Sequence, residues 1–162
     1  MFPGGIAEVI DAWADLADRR MEERLGAQGE LPTRLSQRVR EAVLIRLAIL
    51  APHKEAMQRA VALLSCPPHT GRLARAYVRT IDAIWRAALD TSGGVAWYTK
   101  RASLAAVYGA TLLYWLQDRS EGTRATEAFL DRRLDDLARI GKFRRQLSGG
   151  ARRTPEHGTT SS

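Results

Sequence analysis

Between Arg101 and Asp118 the chain runs for 16 residues without a single charge, and from Ala102 to Leu116 it is apolar nearly all round. A helix with no polar face needs neighbours on most of its sides. Ser103, Gly109 and Thr111 interrupt the run, which falls short of the roughly 20 residues that span a bilayer. The run therefore predicts a central helix, about Val95 to Gln117, inside a helical domain. On that helix Leu104, Tyr108, Leu112 and Trp115 share one side. Ala102, Ala105, Ala106, Gly109 and Ala110 make another side small, which lets a neighbouring helix approach closely.

The remaining segments have the helical period, and none sustains two-residue alternation. A first helix, about Gly5 to Leu25, carries Ile6, Val9, Ile10, Trp13, Leu16, Ala17, Met21 and Leu25 on one stripe, and the Gly26–Gly29 patch ends it. A second follows Pro32 and Thr33, with Leu35, Val39, Val43, Leu47 and Leu50 inward. Pro52 breaks that helix and opens a third, His53 to Leu64. A fourth, about Thr70 to Leu89, turns Leu73, Tyr77, Ile81, Ile84, Trp85 and Ala88 inward. After a short linker at Ser120 to Thr123, a sixth helix runs to Leu147. The expected fold is an all-α, six-helix bundle over residues 1–147, followed by a disordered basic tail over 148–162.

Of the net charge of +7, residues 138–162 hold six basic side chains and one acidic one, so the body of the chain is nearly balanced. A basic end fits an anionic surface, whereas a domain-wide nucleic-acid face is not present. Acids at Glu8, Asp11 and Asp15 argue against a signal peptide or a mitochondrial presequence. Chemistry has no visible carrier. There is one cysteine, Cys66, followed by two prolines and with no basic neighbour to activate it. His53, His69 and His157 have no metal-ligand spacing, and neither a Glu-x-x-His pair nor a glycine-rich phosphate loop occurs. Asp131, Asp135 and Asp136 interleave with Arg132, Arg133 and Arg139 as a solvated ion-pair face.

Two features rise above an ordinary core. The aromatic and apolar density at Trp85, Trp97, Tyr98, Tyr108, Leu112 and Trp115 either fills the bundle or lines a cavity between helices, and a buried indole or phenol needs a polar partner. The sixth helix carries an apolar stripe of Phe129, Leu130, Leu134, Leu137, Ile140 and Phe143, with Arg139, Lys142, Arg144 and Arg145 at its far end. Such a helix either closes the bundle or lies in a membrane interface.

The stretch Asp82-Ala83-Ile84-Trp85-Arg86-Ala87-Ala88, then Trp97-Tyr98-Thr99-Lys100-Arg101-Ala102 and Leu104-Ala105-Ala106-Val107-Tyr108, resembles the ubiquinone biosynthesis accessory protein nine family. Thr111-Leu112, Gln117-Asp118 and Phe129-Leu130-Asp131-Arg132-Arg133 continue the likeness, as do Phe2-Pro3-Gly4-Gly5, Asp18-Arg19-Arg20-Met21 and Ala51-Pro52-His53-Lys54-Glu55-Ala56. It covers about residues 2 to 145 and is similar to the bacterial members.

The resemblance implies a fold similar to the ligand-binding and dimerisation domain of TetR regulators, and a homodimer without enzymatic activity of its own. It implies no cofactor, but an isoprenoid quinone or phospholipid ligand, presented to a di-iron demethoxyubiquinone hydroxylase at a membrane. On that reading Ile81, Trp85, Leu104, Tyr108, Leu112 and Trp115 become pocket walls. Trp97, Tyr98 and Arg101 become the partner patch. Phe129, Leu130, Leu134, Leu137, Ile140, Lys142, Phe143, Arg144 and Arg145 become the membrane helix. The implied location is the bacterial cytoplasm, peripheral to the inner membrane. Family members begin with about three further helices before the Phe-Pro-Gly-Gly segment, so a shortened or fragmentary member is expected. Gly93, Gly94, Val95 and Ala96 stand where an acidic residue often precedes the Trp-Tyr pair. The alternative is the effector-binding half of a TetR-like regulator, which requires a DNA-reading helix pair.

Overall fold

The computed structural model describes residues 6–64, 67, 70–88 and 95–150, with side chains described over 8–62, 67, 70–88 and 98–142. Every extended element among them is a helix: α1 (Ile6–Gly26), α2 (Leu35–Leu50), α3 (Lys54–Leu64), α4 (Thr70–Ala87), α5 (Val95–Gln117) and α6 (Arg124–Gly150). Single 3₁₀ turns at Ala51–His53 and Glu121–Thr123 join α2 to α3 and α5 to α6. The six-helix expectation holds, with boundaries that move by a few residues. Helix α6 runs to Gly150, three residues past its expected end at Leu147, and 151–162 lie outside the described residues.

Helix α1 packs against both α2 and α4, so these three form the centre, while α5 reaches the bundle through α3, α4 and α6. The core side of α2 is Val39, Ala42, Val43, Arg46, Leu47 and Leu50, a three-and-four spacing that sets all six on one face. Met21, Leu25, Ile84, Trp115 and Leu130 complete a continuous apolar core. Ion pairs on the rim tie helices together: Asp11 to Arg79 at 2.7 Å and Glu22 to Arg86 at 2.8 Å join α1 to α4, and Asp131 to Arg40 at 2.5 Å joins α6 to α2.

Helix α5 is covered on most sides by α3, α4 and α6, and it keeps one open stripe that includes Ala102, Ala106 and Leu113. Its small side takes Tyr77 of α4 instead of a whole helix; the Tyr77 hydroxyl donates to the Ala105 carbonyl, and a Cβ added at Gly109 would lie 2.7 Å from that hydroxyl. On α1, Val9 and Leu16 are exposed, and the buried set is Ala17, Asp18, Met21 and Leu25. The helix is wedged between α2 and α4, which turns Asp18 inward. The acids of α6 likewise split, since Asp131 bonds across to α2 while Asp136 pairs with Arg133 on its own helix.

The turn from α5 to α6 is organised by Asp118. Its Oδ2 accepts from the Thr126 amide at 3.0 Å and the Thr126 hydroxyl at 2.6 Å, and its Oδ1 accepts from the Ser120 amide at 2.8 Å. Burial, the largest single influence, pushes the carboxyl up, but the hydrogen bonds from Thr126 and Ser120 together outweigh it and hold the group well below the usual carboxylate range. The chain then reverses through left-handed backbone at Gly122 (φ 65°) and Thr123 (φ 60°), an uncommon conformation for a β-branched residue. Lys54 and Gln58 of α3 donate to the carbonyls of Asp118 and Leu116, satisfying acceptors that the end of α5 leaves open.

Candidate functional site

Four polar side chains from four helices meet inside the apolar core. Arg46 of α2 donates from Nε to Asp18 Oδ1 of α1 at 2.6 Å, from Nη1 to the Tyr108 hydroxyl of α5 at 2.5 Å, and from Nη2 to Thr80 Oγ1 of α4 at 3.0 Å. Thr80 Oγ1 in turn donates to Asp18 Oδ2 at 3.0 Å. Arg46 is 3% exposed and Asp18 7%. The guanidinium keeps its charge: burial opposes it, but Tyr108 and Asp18 alongside raise its pKa above the usual arginine value. Burial pushes the Tyr108 phenol up to about 12, with Arg46 acting the other way, so Tyr108 is neutral and keeps a proton to donate.

This cluster borders a cavity of about 60 Å³ between α1, α2, α3, α4 and α5. Ile10, Leu50, Met57, Val61, Leu73 and Leu112 supply apolar walls; Arg46, Thr80, Tyr77 and Tyr108 supply the polar side; Asp11 and Arg72 lead towards the surface. Tyr77 and Tyr108 have ring centroids 5.7 Å apart. Chemically the arrangement sets a hydrogen-bonded polar cluster against the apolar walls of a small cavity. Among the described residues no group of three His, Cys, Asp or Glu side chains could hold a metal ion.

The expected pocket residues divide. Tyr108 and Leu112 border the cavity. Ile81, Trp85, Leu104 and Trp115 are buried in the packed core and are not among its lining residues. Among the described residues, the indole N–H groups of Trp85 and Trp115 meet no hydrogen-bond partner. The Trp115 ring carries the Lys54 ammonium 5.2 Å from its centroid.

Two of the three patch residues come together. Tyr98 and Arg101 line a groove of about 400 Å³ on the α4–α5 surface with Tyr77, Val78, Ile81, Ala102 and Ala105. Tyr98 is 70% exposed, whereas Arg101 is partly buried in an ion pair with Asp82 of α4. The Trp97 side chain lies outside the described residues.

The proposed membrane stripe on α6 is corrected over its first half. Leu130 is fully buried, Leu134 and Leu137 pack against the same core, and Phe129 is partly buried, stacked on Tyr114 with centroids 4.5 Å apart. These side chains close the bundle because α6 packs on α5 and α2. Ile140, at 55% exposure, and Lys142 remain open to solvent. The side chains of Phe143, Arg144 and Arg145 lie outside the described residues. Among the described residues no helix is long and apolar enough to cross a membrane.

Comparison with known proteins places relatives beside this geometry. The COQ9 family model matches residues 71–141. The mitochondrial ubiquinone biosynthesis protein COQ9 of Homo sapiens is 34% identical over 127 residues, which is 78% of this chain and 40% of that protein. Its Xenopus tropicalis counterpart is 33% identical over 157 residues, 91% of this chain and 49% of that protein. The chain thus spans less than half the length of these relatives. Among solved structures, a TetR transcriptional regulator from Nitrosomonas europaea ATCC 19718 superposes with a TM-score of 0.67 at 29% identity, covering 81% of this chain and 72% of that one.

Proposed function

We propose that this chain, which belongs to the COQ9 family, is a non-enzymatic lipid-binding accessory factor of ubiquinone biosynthesis. The observation that carries this reading is where the family match falls. Residues 71–141 contain Tyr77, Thr80, Tyr108 and Leu112 of the cavity and Tyr98 and Arg101 of the surface groove. The cavity, between helices and mostly apolar, is where an isoprenoid quinone intermediate or a phospholipid chain enters. At about 60 Å³ it is far smaller than the roughly 300–1,000 Å³ of a small-molecule pocket, so entry moves the partly buried walls at Met57, Val61 and Leu112 outward.

The Trp97, Tyr98 and Arg101 patch is the docking surface for the di-iron demethoxyubiquinone hydroxylase. The distal end of α6, with Ile140, Lys142, Phe143, Arg144 and Arg145, meets the membrane surface. The working unit is a homodimer, peripheral to the inner membrane of a bacterium, and it has no nucleic-acid partner. Mass spectrometry of lipids extracted from gently purified protein tests the central claim. The expected result is isoprenoid quinone or phospholipid at close to one per chain. A lipid-free protein, together with unchanged ubiquinone levels after gene deletion, would overturn it.

The likeness to a TetR regulator, at a TM-score of 0.67, favours one other reading, an effector-binding half of a regulator. An upstream segment with a basic recognition helix, together with sequence-specific retardation of DNA by the protein that carries it, would select that reading instead.

A further inference from the structure

We infer that α3 is the movable wall of the core cavity: pinned at its first turn, it swings outward beyond Gln58 and joins the cavity to the groove between α1 and α3. The inference rests on the lipid-binding reading above for what passes through, and on the geometry alone for where the wall opens.

One helix separates two spaces. Outside lies a groove of about 420 Å³, lined from α1 by Val9, Ile10 and Trp13 and from α3 by Ala56, Arg59 and Ala60. Inside lies the cavity, to which α3 contributes Met57 and Val61 and α1 again contributes Ile10. Residues four apart share a side of a helix, so Ala56 and Ala60 face the groove while Met57 and Val61, one position on, face the cavity. A swing of α3 away from α1 therefore merges the two spaces past Ile10.

The other flank of α3 leaves room for that movement. A cleft of about 1090 Å³ separates the start of α3 from the end of α5, with Lys54, Glu55 and Gln58 on one side and Leu116, Gln117 and Arg119 on the other. Among the described residues of α3, Ala60 is the one buried side chain, at 5% exposure. An element with few buried apolar contacts opens more readily than the rest of a fold.

The fastenings of α3 are all at one end. Pro52 precedes it with a fixed backbone angle, and the His53 ring meets Trp13 of α1 edge-on, with centroids 4.8 Å apart. The cross-helix hydrogen bonds described for α3 come from Lys54 and Gln58, to the carbonyls of Asp118 and Leu116. Beyond Gln58 the packing is apolar, from Ala60 and Val61. The ion pair of α3, Arg59 with Glu55 at 3.8 Å, lies within the helix itself. The remaining walls are tied to one another: α1 to α4 by Asp11 and Arg79 at 2.7 Å, α1 to α2 by Asp18 and Arg46 at 2.6 Å, and α2 to α5 by Arg46 and Tyr108 at 2.5 Å. Movement concentrates in α3 beyond Gln58, with the first turn as its pivot.

The test follows uptake of the uncharged dye N-phenyl-1-naphthylamine by the full chain in stopped flow, alongside amide hydrogen exchange read by mass spectrometry. Ala56→Trp, at an exposed position that lines the outer groove and not the cavity, blocks the route. Val61→Ala loosens the swinging end. Arg79→Ala cuts the tie between α1 and α4 and serves as the control for an opening elsewhere. Amides of 59–62 are expected to exchange about tenfold or more faster than those of α2 and α5 that border the cavity. Dye uptake is expected to slow several-fold in Ala56→Trp, to quicken about three- to tenfold in Val61→Ala, and to hold in Arg79→Ala. Uptake unchanged in Ala56→Trp, or quickened by Arg79→Ala and not by Val61→Ala, would overturn the inference while leaving lipid binding standing. Exchange of 59–62 no faster than that of α2 would do the same. Should Val61→Ala melt early, Ala56→Trp and the wild-type exchange decide the matter. Rapid exchange of 59–62 with no dye uptake in any form would overturn the lipid-binding reading and leave the movable wall standing.

Discussion

Arg46 Nε lies 2.6 Å from Asp18 Oδ1 across the contact between α2 and α1, deep in the apolar centre of the bundle. The pair holds its geometry because Thr80 and Tyr108 satisfy further hydrogen-bonding positions on both partners. Removing one partner leaves an uncompensated buried charge, the costly half of the interaction. Asp18→Ala or Arg46→Met alone is therefore expected to cost about 3–5 kcal/mol in urea-induced unfolding. Asp18→Leu with Arg46→Met removes both charges at once and is expected to restore most of that loss. A double variant as unstable as either single one would show that the cluster's other hydrogen bonds, not the pairing of charges, hold the region.

That cluster is also what the linear sequence conceals. Arg46 sits three residues after Val43 and four before Leu50, squarely on the buried side of α2, and helical spacing alone identifies the position. Its charge disguises it: an isolated arginine in a helix reads as solvated until a partner is known, and Asp18, Thr80 and Tyr108 are 28, 34 and 62 residues away. The helices themselves were legible because periodicity and Pro/Gly punctuation are local. The open stripe on α5 at Ala102, Ala106 and Leu113 is not legible in the same way, because an apolar run does not say which of its sides the neighbours leave bare. The same holds for α6, where one stripe contains Leu130, buried in the bundle, and Ile140, open to solvent. Trp85 and Trp115 read as pocket walls from the family resemblance and their place in the helical pattern, yet they fill the core.

The Asp118 turn predicts a pH dependence. Its folded pKa lies below the unfolded carboxylate value of about 3.9, so its contribution to stability is fully present above about pH 4 and is lost as pH falls through the lower, folded value. Asp118→Asn is expected to destabilise the protein at pH 7, and the gap to wild type is expected to narrow steadily below pH 4. Denaturant midpoints measured from pH 7 to pH 2.5 check this. A gap that stays constant across that range would mean that the charge of Asp118 is not what Thr126 and Ser120 recognise.

The surface groove on α4 and α5 contains two residues with opposite jobs. Tyr98 is largely exposed, so Tyr98→Ala is expected to change stability by no more than about 0.5 kcal/mol. If it anchors the hydroxylase, the same substitution weakens complex formation by about tenfold or more, as aromatic anchors do. Arg101 is held by Asp82 of α4, so Arg101→Ala is expected to lower the melting temperature as well as weaken the complex. Thermal melts and pull-down with the hydroxylase, run on both variants, separate the two effects. Equal loss of stability in both would remove Tyr98 from the surface role.

The last helix offers the sharpest contrast. Leu130→Ala removes a fully buried side chain and is expected to cost about 2–5 kcal/mol, wherever the protein works. Ile140 lies 10 residues further along the same helix and is mostly exposed, so Ile140→Asp is expected to leave unfolding nearly unchanged. If this end of α6 lies on lipid, that substitution puts a carboxylate where an apolar side chain entered the interface, beside the basic groups that attract anionic lipid. Co-sedimentation with vesicles of phosphatidylglycerol and phosphatidylcholine should then fall several-fold for Ile140→Asp and not for a folded, mildly destabilised core variant such as Leu130→Met. Undiminished sedimentation of Ile140→Asp would move the membrane contact off this helix. Because Leu130, Leu134 and Leu137 are committed to the bundle, the contact would then have to be sought on another surface, with the exposed Leu113 and Tyr114 of α5 as the next apolar patch.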